Sequence, residues 1–296
     1  MDIKKYLTEK KLLIEKEMSL LMPGGKRLTG NLHDAMSYSL EAGGKRIRPI
    51  LVLAACEAVG GEPASAMPAA CAIEFIHTYS LIHDDLPAMD NDDYRRGKPT
   101  CHKAFNESTA ILAGDALLTA AFEIMSNNAL FKDAKAEAVM DTVHDIARAA
   151  GAAGMVGGQQ ADMEAEGREV DLPTLEFIHT HKTGALILAS VKAGAKLGGG
   201  DKDQITALTK YAEIAGLAFQ VADDILDVTG SRESLGKDAG SDEARNKATY
   251  PSIIGLKEAR LRAAELLDMA IDSLNGFDDK ADPLREIARY IVDRNS

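Results

Sequence analysis

Apolar residues recur at three- and four-residue intervals along most of this chain, the period of an α-helix with one buried face. The pattern predicts helices near 2–22, 31–41, 48–59, 65–86, 108–128, 132–150, 173–197, 202–229, 255–275 and 283–294. Gly43-Gly44 and Gly60-Gly61 fall where helix C-terminal caps belong. No alternation of apolar and polar residues runs long enough to predict a strand, so the expected fold class is all-α, a bundle of about ten or more helices. Two connections, roughly 87–107 and 230–250, are long and polar, a length that in a compact domain signals function or disorder. Each follows a helix ending in aspartates. These endings are Leu81-Ile82-His83-Asp84-Asp85-Leu86 and Phe219-Gln220-Val221-Ala222-Asp223-Asp224-Ile225-Leu226-Asp227.

Composition narrows the picture. Alanine, leucine and isoleucine are abundant, aromatics make up 5% and tryptophan is absent, which suits closely packed helices better than a β-sandwich. No Pro-rich, Ser-rich or charge-block stretch divides the 296 residues, so residues 1–296 are read as a single domain. A formal charge of −12 argues against nucleic acid as a partner. Cys56, Cys71 and Cys101 lack metal-ligand spacing and read as reduced thiols. The opening segment is amphipathic without a signal-peptide core, and no run of about 18 apolar residues occurs. A cytoplasmic protein without a membrane span is expected.

The aspartates carry the first chemical signal. At 100° per residue Asp223 and Asp227 differ by about 40° around a helix and share a face. Carboxylates stacked this way repel unless a cation lies between them. Hard oxygen ligands on a helix with apolar flanks suit Mg²⁺, which completes its shell with water and substrate phosphates. Asp84 and Asp90 would lie about 240° apart on an unbroken helix. Pro87 cannot donate to the carbonyl of His83, so the backbone over 86–91 is expected to distort and swing Asp90 back towards Asp84. Each cluster alone reads more simply as a solvated acidic face.

Basic residues accompany both clusters: Arg95, Arg96 and Lys98 after the first, Lys237 and Lys247 after the second. Lys45, Arg46 and Arg48 stand at a glycine-to-helix junction, with Lys45 and Arg48 three apart and so on one face. A helix N-terminus adds partial positive charge, making a diphosphate cradle.

With these motifs in place, the chain resembles the short-chain trans-prenyl diphosphate synthases, and among them the bacterial farnesyl diphosphate synthases. The resemblance runs from about Glu41 to Gly255. It rests on Gly-Gly-Lys-Arg-Ile-Arg-Pro at 43–49, Glu74-Phe75-Ile76-His77, the first aspartate motif with Arg95-Arg96, and Ile111-Leu112-Ala113-Gly114-Asp115. Gly158-Gln159-Gln160-Ala161-Asp162, Lys182-Thr183-Gly184, Phe219-Gln220 through Asp227, Lys237, and Lys247-Ala248-Thr249-Tyr250-Pro251 complete it. It implies an isoprenoid synthase-like helical bundle around a substrate cavity, and a homodimer.

The same resemblance implies roles. Lys45, Arg48, His77 and Arg96 match the isopentenyl diphosphate site. Arg95, Lys182, Thr183, Gln220 and Lys237 match contacts to dimethylallyl or geranyl diphosphate, and Gly44 and Lys247 match further substrate-binding positions. Asp84, Asp90 and Asp223 match direct Mg²⁺ ligands, while Asp85, Asp224 and Asp227 ligate directly or through water. Asp84, Asp85, Asp90, Arg95, Lys182, Asp223, Asp224 and Lys237 form the implied catalytic set. Tyr79 and Ser80 stand where the family sets product length, and an aromatic there accompanies farnesyl diphosphate.

Other classes fit less well. A terpene cyclase shares the first motif but normally carries Asn or Asp with Ser/Thr and Glu in the second. A silent regulatory subunit should have lost aspartates or cations, and none is missing. A divalent-cation buffer leaves the arginines and lysines unexplained. Geranylgeranyl diphosphate synthesis stays open as the alternative product.

Overall fold

The computed structural model describes residues 1–23, 30–131, 134–229 and 248–293, and within them almost all regular structure is helical. The helices are α1 (Ile3–Leu21), α2 (Gly30–Leu40), α3 (Ile47–Ala58), α4 (Pro63–Asp84), α5 (Cys101–Ala104), α6 (Glu107–Ser126) and α7 (Ala136–Ala150). They continue with α8 (Met155–Ala165), α9 (Leu172–Ile178), α10 (Ala185–Leu197), α11 (Lys202–Thr229), α12 (Tyr250–Ile254), α13 (Leu256–Asp272) and α14 (Asp282–Val292). Helix starts follow local chemistry. Asp2 accepts from Lys5 N–H at 3.1 Å, Asn106 accepts from Thr109 N–H at 2.8 Å, and Pro63 opens α4. Gly60, at φ 85°, ends α3 as expected: Gly60 and Gly61 donate to the carbonyls of Glu57 and Cys56, both at 2.9 Å.

The core is built from small side chains. α4 is buried on nearly every side and packs between α3 and α6, while α10 lies against α3, α7 and α11. A Cβ on Gly194 would fall 2.0 Å from the Val52 carbonyl oxygen, so glycine is what lets α10 approach α3 this closely. A second, smaller cluster of Leu175, Ala218, Val221, Tyr250, Ala259, Ala263 and Leu266 joins α9, α11, α12 and α13. α6 has the length and apolar composition of a membrane-crossing helix, which the search for uninterrupted apolar runs did not register. Its buried face, however, packs on α4, and Asp115 lies exposed in its middle.

Several expectations need correction. The helix predicted at 173–197 is interrupted by a π-helical turn, His179–Gly184, and among the described residues of the predicted 132–150 helix α7 begins at Ala136. α8 and α12 were not predicted, because Gly157-Gly158 and the brevity of 250–254 hide the helical period. The 87–107 connection holds structure of its own. Tyr94–Arg95 pairs with Lys98–Pro99 in a two-stranded hairpin, with Arg96 (φ 54°) and Gly97 (φ 76°) at its tip. Positive φ at both central residues is the signature of a type I′ turn. Gly43 and Gly44 do not cap α2, which ends at Leu40; they lead into α3 instead.

Candidate active site

The end of α4 makes the first acidic corner. After Asp84 the backbone turns back on itself, the geometry expected from Pro87: Asp90 N–H donates to the Asp84 carbonyl at 2.8 Å, and Asn91 N–H to that of Leu86 at 3.1 Å. Asn91 closes the turn at φ 52°. With Arg46 and Arg96 it is one of three non-glycine residues at positive φ among those described. Backbone strain of this kind gathers at functional sites.

Asp84 opens into a cavity of about 570 Å³. Its polar rim includes Arg48, His77, Lys182 and Thr183, and much of the remaining wall is apolar, with Leu86, Met89, Ile111, Met155, Val156 and Met163. Tyr79 and Ser80 line it one turn below Asp84 on α4. Tyr79 is 7% exposed, and its ring meets His83 edge-on at 5.7 Å. The Ser80 hydroxyl donates to the His77 carbonyl at 2.8 Å, a bond within the helix.

The cationic side is unevenly partnered. Arg48 Nη1 lies 3.3 Å from His77 Nε2, while its Nε is buried without a hydrogen-bond partner among the described residues. Burial lowers the Arg48 pKa, and the nearby charges of Glu74 and Asp223 oppose that shift. Burial, and then the charges of Arg48, Arg96, Arg95 and Arg46, hold His77 well below the usual histidine range, so it is neutral. Arg96 donates through Nη1 to the Gly43 carbonyl, and its guanidinium lies where a Cβ on Gly44 would go. Gly44, at φ 129°, is thus required both for conformation and for space. Lys45 is exposed and precedes α3, so the argument that it shares a helical face with Arg48 fails. Arg46 is structural: it pairs with Glu74 at 2.7 Å and Glu15 at 3.3 Å.

The second acidic motif closes α11. Asp223 and Asp227 are half-buried, and Gln220 is half-buried one turn earlier. Lys182 and Thr183 come from the π turn, and Lys182 Nζ donates to Asp162 on α8 at 2.7 Å. Two of the expected metal ligands are almost wholly buried against protein donors. Asp85, 3% exposed, accepts from Arg95 Nε at 2.7 and 2.9 Å and pairs with its Nη2 at 2.6 Å. Burial opposes charge on Arg95, but this pairing raises its pKa overall. Asp224, 5% exposed, accepts from His179 Nε2 at 3.0 Å and Tyr250 N–H at 2.8 Å. Both carboxylates thus stand in ion-paired or hydrogen-bonded surroundings. Lys237 and Lys247 lie outside the described residues.

The sequence matches agree with this architecture. Residues 29–288 match the polyprenyl synthetase family. The chain belongs to that family. It is 47% identical over 299 residues to a farnesyl diphosphate synthase of Geobacillus stearothermophilus, covering 100% of this chain and 99% of the relative. It is 51% identical to a heterodimeric geranylgeranyl pyrophosphate synthase large subunit 1 of Arabidopsis thaliana, covering 100% of this chain and 80% of that one. The apo crystal structure of an FPP/GFPP synthase from Zymomonas mobilis superposes with a TM-score of 0.87 at 42% identity, covering 98% and 99% of the two chains. This polyprenyl synthetase thus has the all-α isoprenoid synthase-like fold and is a short-chain prenyltransferase acting on isoprenoid diphosphates.

Sequence reasoning assigned no role to Asp162, His83, His179 or Tyr250. Asp162 and Tyr250 stood inside motifs that carry the resemblance, whereas His83 and His179 gave no signal beyond adjacency to one.

Proposed function

We propose that the chain condenses isopentenyl diphosphate with dimethylallyl or geranyl diphosphate and releases farnesyl diphosphate, with Mg²⁺ as cofactor. The observation that carries this reading is the cavity: Asp84, Arg48 and Lys182 line it together, much of the remaining wall is apolar, and Tyr79 lines it one turn below Asp84. The carboxylates fit a hard divalent cation. No three of the described His, Cys, Asp or Glu side chains converge as a ready-made metal site, which suits an ion that completes its shell with substrate oxygens. Asp84, Asp90, Asp223 and Asp227 would hold the metal, and bound Mg²⁺ would supply charge neutralisation for the leaving diphosphate.

The protein's own groups do the rest. Arg48, with a buried N–H to spare, binds the diphosphate of isopentenyl diphosphate beside neutral His77. Lys182 faces the allylic diphosphate and stabilises charge as it departs. The apolar wall keeps water from the allylic cation while the isopentenyl double bond attacks it. Among the described residues no side chain is an obvious base, and the released diphosphate accepts the proton.

A homodimer is also proposed, formed through α6. Leu112 is 56% exposed on that helix, an apolar side chain that a second copy would cover. The test of function is direct: incubate the protein with geranyl diphosphate, isopentenyl diphosphate and Mg²⁺, and chromatograph the dephosphorylated extract. Absence of any longer prenyl alcohol would refute chain elongation. A dominant twenty-carbon product would favour the geranylgeranyl reading suggested by the Arabidopsis relative's name.

A further inference from the structure

Three elements meet at one carboxylate, and a fourth joins them through a tyrosine hydroxyl. Asp224 Oδ2 on α11 accepts from His179 Nε2 in the π turn and from Tyr250 N–H at the start of α12. Tyr250 closes the ring of contacts by stacking on His179, centroids 5.9 Å apart, and donating its hydroxyl to Glu176 on α9 at 2.6 Å. His181, the other histidine of the turn, stacks on Phe177 at 3.9 Å and takes no part.

A π turn is a one-residue insertion in an α-helix, and it persists only where neighbours fix it. Here α8 presses on one side: a Cβ on Gly158 would fall 2.1 Å from Lys182 N. On the other side stands the Asp224–His179 bond. Lys182 lies between these supports, three residues after His179, and reaches across to Asp162.

We infer that His179, anchored by Asp224, is a positioning residue that aims Lys182 at the allylic diphosphate, and that Asp224 acts through this bond rather than as a metal ligand. The inference rests on the role proposed above for Lys182. The Asp224 side chain is 5% exposed and engaged by both donors, so its carboxylate is turned into this hub rather than to solvent.

The test is a double-mutant cycle on kcat with a metal titration beside it, the fold of each variant checked by circular dichroism. His179→Ala should lower kcat by about tenfold, and His179→Gln, which restores an N–H donor at similar reach, should recover most of it. Because His179 acts through Lys182, the double variant His179→Ala/Lys182→Ala should fall no more than about twofold below Lys182→Ala alone. Asp224→Asn should lower kcat yet leave the Mg²⁺ concentration for half-maximal rate within about twofold of wild type, whereas Asp223→Asn should raise it about fivefold or more. Losses that multiply in the double variant would overturn the inference, as would a Mg²⁺ shift in Asp224→Asn equal to that in Asp223→Asn. If Asp224→Asn does not fold, the His179 cycle decides alone. A Lys182→Ala enzyme with unchanged kinetics would overturn the role of Lys182 and the inference together, while multiplying losses beside an impaired Lys182→Ala overturn the inference only.

Discussion

Tyr79→Ala should turn a fifteen-carbon synthase into one that makes twenty-carbon or longer products. Tyr79 sits on α4 five residues before Asp84, about 7.5 Å back along the helix axis at 1.5 Å per residue, and its ring lines the cavity. A growing tail that starts at the Asp84 rim and runs along α4 reaches this ring. Removing the ring leaves space that a further isoprene unit can fill. Burying five carbons at about 0.8 kcal/mol each gives an upper bound of about 4 kcal/mol. Because the tail's surroundings are only partly closed, about half of that is a fair expectation, which corresponds to about thirtyfold in favour of the longer chain.

The substitution should not unfold the protein. Truncating an aromatic ring in a closed core costs about 3–5 kcal/mol, but Tyr79 already borders a cavity, so its cost should lie at or below the bottom of that range. The assay is the chain-length distribution after dephosphorylation, for wild type and variant at equal turnover. An active Tyr79→Ala enzyme still stopping at farnesyl diphosphate would move the floor elsewhere. A wild type that makes twenty carbons would refute the product assignment.

Three further predictions follow from the rim. A chelator should abolish turnover and excess Mg²⁺ restore it, and Asp84→Ala should lower kcat by orders of magnitude with its circular dichroism unchanged; full activity in a chelated sample would refute the metal reading. Arg48→Ala should raise KM for isopentenyl diphosphate more than for the allylic partner, and Lys182→Ala should do the reverse or lower kcat; equal rises in both KM values would merge the two sites. His77, whose folded pKa lies well below 6.5, should make stability fall as pH drops below 6.5, because the unfolded chain takes up a proton that the folded one refuses. The slope from this one group is at most about 1.4 kcal/mol per pH unit, with no effect above pH 7. Urea midpoints from pH 5 to 8 should depend less on pH in His77→Gln, and an identical dependence would count against a neutral His77.

What could be read without coordinates was whatever repeats along one helix or breaks by a hard rule. The period of three and four placed the start of α11 at its observed Lys202, and most other helices within a few residues. Pro87 forced the return of Asp90 because a missing N–H allows few alternatives. The π turn was invisible, since an inserted residue changes the register of a helix without changing its apolar character. Partner choice was equally hidden. Asp84 and Asp85 are chemically identical neighbours, and Asp223 and Asp224 are another such pair. In each pair the second carboxylate is nearly fully buried with a protein donor, Arg95 for one and His179 with Tyr250 for the other. A step of 100° per residue on a helix turns adjacent side chains to different faces, so a doubled aspartate next to a cavity cannot present both carboxylates to it equally. The two members of each pair therefore stand in different surroundings: Asp84 lines the cavity and Asp223 is half-buried, while Asp85 holds Arg95 and Asp224 holds His179 and the Tyr250 backbone. Composition counts both as acidic ligands; only the positions of Arg95 and His179 in space separate them.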